Sequence, residues 1–466
     1  MCLAHMSEEG AEQKYIKEAF DTNWVVPLGP NVNGFEKDLE AFLGSDPSAD
    51  ILGSDPSAES KTSAFGSDPS ADPKTKRVVA LASGTAAVHL ALIACGVGPG
   101  DEVIVQSFTF CASSHPVTYL GATPVFVDSE RETWNMDPEL LEVAIKDRIA
   151  KTGKKPKAIV PVALYGMPYQ IERIMEIANR YGIPVIEDAA EGFGSRYKGQ
   201  VLGTFGQYGV LSFNGNKMIT TSGGGALICP DEQAWQEIMM YATQYRESYP
   251  YYQHEKIGFN YRMSNICAGI GRGQMTVVNK HIAHHQHVQA MYEELLKDVK
   301  GVTVHRQPTG TLGSGSSADI LGSDPSAESE TSAFGSDPVY DSNYWLCTIT
   351  LDPELKVKGQ ENAYKTIETK AVGGAAGVIH RASTAVTDCQ PNENVEAMRI
   401  ALNEADVEAR PVWKPMHKQP CYATAPAYVN GVSEAIFKVG MCLPAGPYVT
   451  DDDVRYIVET IKRSIE

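Results

Sequence analysis

Ser212-Phe213-Asn214-Gly215-Asn216-Lys217, continuing through Met218-Ile219-Thr220-Thr221 to Gly223-Gly224-Gly225, is the stretch on which the reading of this chain turns. Upstream, the apolar run Ile183-Pro184-Val185-Ile186 delivers Glu187-Asp188-Ala189-Ala190-Glu191. Taken singly, Lys217 reads as a solvated loop lysine and Asp188 as a helix N-cap after a strand. Taken together, an acid ending a buried strand and a later lysine flanked by a hydroxyl and glycines make a cofactor arrangement. The lysine can form a Schiff base with pyridoxal phosphate (PLP). The aspartate can pair with the pyridinium nitrogen and keep the ring an electron sink.

Neighbouring motifs fit the same ligand. Ser83-Gly84-Thr85 follows a short apolar strand predicted over 77–82 and opens a helix predicted over 85–95. Backbone N–H groups at a helix start bind phosphate, and a glycine lets the ligand approach closely. By itself the same triplet is an ordinary capped turn. Ser212 can add a hydroxyl to that phosphate. Ser107-Phe108-Thr109-Phe110 follows another strand, and the spacing favours Phe110 for stacking on the pyridine ring, although an aromatic at a strand end is more often core. Gly203, Gly206 and Gly209 do not match the dinucleotide fingerprint and read as turns. His281, His284 and His285 share one helix face, but no carboxylate or cysteine accompanies them at metal-ligand spacing. That face, with His287 nearby, is predicted to be solvated.

Further strands are predicted over 102–105, 123–127, 158–162 and 184–187, with an amphipathic helix over 171–181. Alternating strands and helices imply a mostly parallel sheet with helices on both faces. After Gly225 the chain turns helical, with one long helical region over 266–296 interrupted near Gly269, Gly271 and Gly273. Strands over 344–351 and 407–412 and helices over 395–403 and 451–465 suggest a second, smaller α+β unit.

The chain has 466 residues, enough for two or three structural units, and is 43% hydrophobic. Its formal net charge of −18 argues against nucleic acid as a partner. None of the nine cysteines is spaced C-x-x-C, so zinc and redox motifs are not expected, and their scatter fits a reducing cytosol. The first residues lack the basic region and apolar core of a signal peptide, and no apolar run reaches the ~20 residues that span a bilayer.

Two segments are near copies. Residues 48–69 read SADILGSDPSAESKTSAFGSDP, and residues 317–338 differ only in having Glu330 where the first copy has Lys61. Their Ser, Asp, Pro, Gly and Ala content is too poor in large apolar residues to offset chain entropy. They read as linkers inserted into the fold, the alternative being a partner-binding tag. The stretch 358–394 is also rich in small and polar residues.

These motifs together resemble the DegT/StrS-type nucleotide-sugar aminotransferases, a branch of the fold-type-I PLP enzymes. The likeness is carried by DTNWVVPLG at 21–29, SFNGNKMITTSGGGAL at 212–227, GFNYRMSN at 258–265 and EARPVWKPMH at 408–417. Within that family the chain is most similar to the UDP-4-keto-6-deoxy-N-acetylglucosamine 4-aminotransferases of the bacillosamine pathway. The resemblance implies an α/β fold with a mostly parallel seven-stranded sheet flanked by helices, and a smaller α+β C-terminal domain. The implied divisions are an N-terminal arm (1–43), an insertion (44–76), a large PLP-binding domain (77–280) and a small domain (281–466). The small domain carries an insertion at 309–341 and the loose stretch 358–394.

Residue by residue, the resemblance implies that Lys217 carries PLP and shuttles the proton, and that Asp188 pairs with the pyridinium nitrogen. Glu191 matches a position often filled by His or Gln in relatives, where Glu is typical of the bacillosamine-type branch. Gly84, Thr85 and Ser212 match phosphate and cofactor contacts. Asn260 matches an asparagine lent across a homodimer interface. Asn23, Trp24, Val25, Val26, Asn214, Arg410, Trp413, Lys414 and His417 match sugar-nucleotide contacts. Gln106 departs from the family, where proline is frequent. The implied reaction moves an amino group, from glutamate, onto a keto-sugar nucleotide for surface glycan synthesis. A sugar dehydratase of the same family would have histidine in place of Lys217. Perosamine- or legionaminate-type substrates, and a non-catalytic sugar-nucleotide or PLP-binding regulator, remain the competing readings.

Overall fold

The computed structural model describes residues 3–44, 76–309, 339–364 and 389–466. The two repeats and most of the stretch 358–394 lie outside the described residues. Seven strands make the central layer: β1 (Arg77–Leu81), β2 (Glu102–Gln106), β3 (Thr123–Val127), β4 (Ala158–Val160), β5 (Ile186–Asp188), β6 (Tyr208–Ser212) and β7 (Gly225–Cys229). Their order is β1-β7-β6-β5 on one side and β4-β2-β3 on the other. Parallel bridges Ile159–Val185 and Val162–Asp188 join the halves. Only β7 runs antiparallel, pairing with both β1 and β6.

Alternation along each strand explains the two-sided cover. Val78, Ala80, Ile104, Val125, Ile159, Leu211 and Ile228 face one apolar core, which includes residues of helices Pro30–Gly44, Pro138–Thr152 and Ile171–Tyr181. Val79, Leu81, Val103, Val105, Phe126, Val160, Val210 and Leu227 face another, with helix Gly84–Ala94. Strands buried on both faces read as unbroken apolar runs, as these do. Helix Ile171–Tyr181 buries Ile171, Ile174, Ile177 and Ala178 on one stripe and ends at Gly182, whose φ of 60° suits a left-handed cap.

The C-terminal part builds an antiparallel sheet ordered Val302–Val304, Cys347–Leu351, Gly440–Leu443 and Arg410–Pro411. It shares a third core with helices Val278–Leu296, Glu393–Glu404 and Asp451–Ser464. The last of these starts with a Thr450–Asp453 capping box. The chain also returns to the large sheet: Ala427–Tyr428 pairs in parallel with β3, and Met416 and Tyr422 sit in the core around helix Gly84–Ala94. Tyr340–Asp341, inside the range expected to be inserted, pairs with Arg196–Tyr197.

Several sequence expectations need correction. The helical region 266–296 is two helices, Asn265–Met275 and Val278–Leu296, and it breaks at Thr276 and Val277 rather than at the glycines. The glycines are contact points. A Cβ on Gly273 would lie 2.4 Å from Glu12 N, and one on Gly271 would lie 2.7 Å from the Phe35 ring. They let the N-terminal helices Ala11–Asp21 and Pro30–Gly44 pack at close range. The histidine face is not solvated either: His281 and His285 are buried, with Nδ1 at 3.2 Å from Met218 O and 3.1 Å from Tyr344 O. Gly209 is a strand residue, pressed against the turn at Gly203. The predicted strand 407–412 shrinks to Arg410–Pro411, and 344–351 starts at Cys347 because Tyr344 has a φ of 46°. Among the described residues, no helix is long and apolar enough to cross a membrane and no cluster suits a metal ion.

Candidate active site

The C-terminal ends of parallel strands converge, which is where ligands bind in open α/β sheets. From β1 come Ser83, Gly84 and Thr85; from β2, Ser107 to Ser113; from β5, Asp188 and Glu191; from β6, Ser212 to Lys217. Ser83 caps helix Gly84–Ala94 by accepting from Ala86 N. The first N–H groups of a helix have no intrahelical acceptors, so those of Gly84 and Thr85 are available to an anion. Ser212 lies beside them: a Cβ on Gly84 would be 3.4 Å from Ser212 Oγ. Gly225, the first residue of β7, packs directly on this turn, where a Cβ would be 2.4 Å from Gly84 N.

Asp188 is buried. Its carboxylate accepts from Ser113 Oγ at 2.6 Å and from Ala190 N at 3.2 Å. Burial pushes its carboxyl above the ordinary aspartate value, and the Ser113 hydroxyl, the Ala190 N–H and the Lys217 charge pull it back only in part. Glu191 is raised by the same cause, with Lys217 the largest opposing influence. Its two oxygens accept from Tyr165 N at 2.7 Å and Trp413 Nε1 at 3.3 Å. Lys217 Nζ stands 3.7 Å from Glu191 Oε1 and 4.1 Å from the centre of the Trp345 ring. Phe110 is 49% exposed beside Trp413, leaving ring surface for a ligand.

The residues suit PLP. A helix N-terminus with a serine hydroxyl fits a phosphate. A buried carboxylate that accepts from the neutral donors Ser113 Oγ and Ala190 N fits a ring N–H⁺. A nearby amine fits the aldehyde.

The other sequence-derived candidates fall in two places. Trp413 and His417 join the wall of this cluster: Trp413 N donates to Tyr165 OH at 2.7 Å, and His417 Nδ1 is 2.7 Å from Ser107 Oγ. Asn214 is exposed on the lysine loop, where its carbonyl accepts from Lys217 N. Arg410 is engaged by Glu408 at 2.5 Å, and Lys414 is half-buried on the segment leading to His417. Asn23, Trp24, Val25, Val26 and Asn260 are exposed and are not brought into the Lys217 cluster. Asn265 ties the first group down through Trp24 O at 2.9 Å and Val26 O at 2.9 Å. Asn260 bridges Thr243 through the backbone.

Sequence reading missed Ser113, Tyr165 and Trp345. Ser113 sits one turn after the expected stacking segment, so proximity to Phe110 was its only signal. Tyr165 and Trp345 reach the site from segments without a motif. Gln106 proves to be a buried hub, accepting from Met136 N and Val162 N and donating to Phe108 O.

Residues 60–320 and 360–462 match the model of the DegT/DnrJ/EryC1/StrS aminotransferase family. The chain belongs to this family. Similar relatives span nearly its whole length. The Bacillus subtilis (strain 168) protein EpsN, provisionally named as a pyridoxal phosphate-dependent aminotransferase, is 36% identical over 98% of this chain and 93% of its own. A GDP-perosamine synthase of Caulobacter vibrioides is 30% identical over 97% of this chain and 95% of its own. A crystal structure of a family aminotransferase from Brucella abortus superposes with a TM-score of 0.72 at 25% identity, covering 98% of this chain and 95% of that one. The family's fold is the fold-type-I arrangement of PLP enzymes, its cofactor is PLP, and its chemistry is amino transfer.

Proposed function

We propose that the protein transfers an amino group from L-glutamate onto a UDP-4-keto-6-deoxy-N-acetylglucosamine, giving the 4-amino sugar nucleotide. The observation carrying this reading is Glu191: a buried glutamate fixed by Tyr165 N and Trp413 Nε1, with Lys217 Nζ at 3.7 Å. By the resemblance, glutamate at this position is typical of the bacillosamine-type branch. The similarity to EpsN over nearly the full chain supports the class of reaction, while the similarity to a GDP-perosamine synthase keeps a GDP-sugar as the specific alternative.

In this reading Gly84, Thr85 and Ser212 hold the PLP phosphate, Asp188 its ring nitrogen and Phe110 its ring face. PLP, when bound, supplies an electron sink that acidifies the carbon–hydrogen bond next to the bound nitrogen. Lys217 anchors the cofactor and, when displaced, moves the proton at Nζ. Ser113 keeps the Asp188 carboxylate turned toward the ring. Trp413, Lys414, His417, Arg410 and Asn214 make one wall for the sugar nucleotide. Asn260 and the exposed Asn23, Trp24, Val25 and Val26 serve the site of a second copy, so the working unit is a homodimer. The scatter of the cysteines along the sequence, none spaced C-x-x-C, supports a cytoplasmic setting.

The test is to incubate PLP-loaded protein and L-glutamate with a panel of keto-sugar nucleotides and to identify products by mass and NMR. The reading predicts an amine at C4 of the UDP sugar. Product from a GDP sugar alone would favour the alternative. No product at all, with a cofactor band indifferent to glutamate, would point to a binding protein.

A further inference from the structure

Trp345 belongs to none of the motifs read from the sequence, yet its ring centre is 4.1 Å from Lys217 Nζ. Its own position is fixed at both ends: the indole N–H donates to Asn216 O at 2.6 Å, and its backbone N–H donates to Asn343 Oδ1 at 2.8 Å. Asn343 in turn donates to the carbonyls of Glu191 and Phe193 at 3.0 and 2.9 Å. One short segment therefore sets both the indole face and the Glu191 turn.

The Lys217 side chain is only 13% exposed. Next to it is a cavity of about 10 Å³, bounded by Lys217, Asn216, Trp345, His285 and Leu346. Such a space admits about one water. An amine confined there cannot draw a full hydration shell, and a buried ammonium without compensation is costly. Two groups stand within reach to replace that shell: the π face of Trp345 and the carboxylate of Glu191.

We infer that Trp345 is a positioning residue that, with Glu191, seats the Lys217 amino group whenever the lysine is not joined to the cofactor. Resting on the reading of Lys217 as the PLP lysine, this gives the side chain a defined seat between half-reactions. The indole face substitutes for water, and Glu191 supplies the counter-charge.

The test uses PLP-free protein, so it is separate from turnover. Lys217 is acetylated with acetic anhydride at one fixed pH, and its modification is followed by mass spectrometry with Lys76 as an internal control. Trp345→Leu, which removes the π face, should raise Lys217 labelling about ten-fold. Trp345→Phe keeps a ring face and should stay within about three-fold of the parent. Lys76, half-buried just before β1, should be unchanged in both. Equal labelling in Leu variant and parent would overturn the inference. So would an equal rise in the Leu and Phe variants, which would assign the effect to the indole N–H.

A second measurement covers a Leu variant that does not fold. An ammonium over an indole quenches its emission, so Lys217→Ala should brighten PLP-free protein, and the gain should vanish when Trp345→Phe is already present. Emission unchanged by Lys217→Ala would refute the contact. A failure of the wider reading would look different: Lys217→Ala would still bind PLP covalently.

Discussion

Ser113 Oγ lies 2.6 Å from Asp188 Oδ2 and 2.9 Å from Thr109 Oγ1, so a turn after β2 steadies the carboxylate that ends β5. A hydrogen bond to a buried charged group contributes about 1.5–3 kcal/mol. Ser113→Ala should weaken PLP binding and lower kcat by about ten-fold or more, with the KM for the amino donor little changed. Absorbance titration with PLP and steady-state kinetics would check this, and parental values of both would show that Asp188 needs no such support.

Gly225 and Gly223 make a matched pair. A Cβ on Gly225 would sit 2.4 Å from the backbone of Ser83 and Gly84, whereas nothing lies within 4 Å of one on Gly223. Backbone cannot yield as a flexible side chain can. Gly225→Ala should cost about 1–3 kcal/mol and displace the helix start proposed to hold phosphate. Gly223→Ala should stay within about 0.5 kcal/mol. Thermal melts of both variants, with and without PLP, read the contrast directly.

Burial raises the Glu191 carboxyl above its ordinary value of 4.5, which fixes the sign of a pH effect. The folded, PLP-free protein holds that proton more tightly than the unfolded chain. Stability therefore falls as pH rises from about the ordinary glutamate value through the raised one. Glu191→Gln removes this contribution, while its altered hydrogen bonding adds a pH-independent offset. The melting temperature of the variant relative to the parent should climb as pH increases above about 4.5. A difference that stays flat with pH would mean Glu191 titrates normally.

The repeats carry a prediction from composition. Helix Pro30–Gly44 ends before the first copy and β1 begins after it, and the second copy falls between strands Val302–Val304 and Tyr340–Asp341, so neither copy interrupts a motif at the site. Replacing residues 48–69 and 317–338 by short Gly/Ser linkers should leave PLP affinity within a few-fold, because doubling a loop's length costs only about 0.6 kcal/mol. Loss of PLP binding would show that they are packed parts of the structure.

Much of the large sheet was legible because its strands are buried on both faces and read as apolar runs, each followed by polar residues where the chain emerges at the strand end. Lys217, Asp188 and Glu191 could be grouped for the same reason, since they follow neighbouring strands. The glycines at 269, 271 and 273 misled, because a glycine that makes room for a packed helix looks in sequence like one that breaks it. The histidines misled because a polar side chain at helical spacing does not reveal that backbone carbonyls wait for it in the interior. Trp345 and Tyr165 had no local signal: their meaning comes from chain segments far away in sequence.

In the proposed function, Lys217 carries the cofactor. The most direct measurement is the absorbance band of PLP-loaded protein before and after L-glutamate, in the parent and in Lys217→Ala. The parent is expected to show a Schiff-base band that glutamate removes, with one 2-oxoglutarate released per site. The variant is expected to show no such band, and its turnover to fall by about 10³-fold or more. A Lys217→Ala protein that keeps the band and turns over near the parental rate would contradict that role.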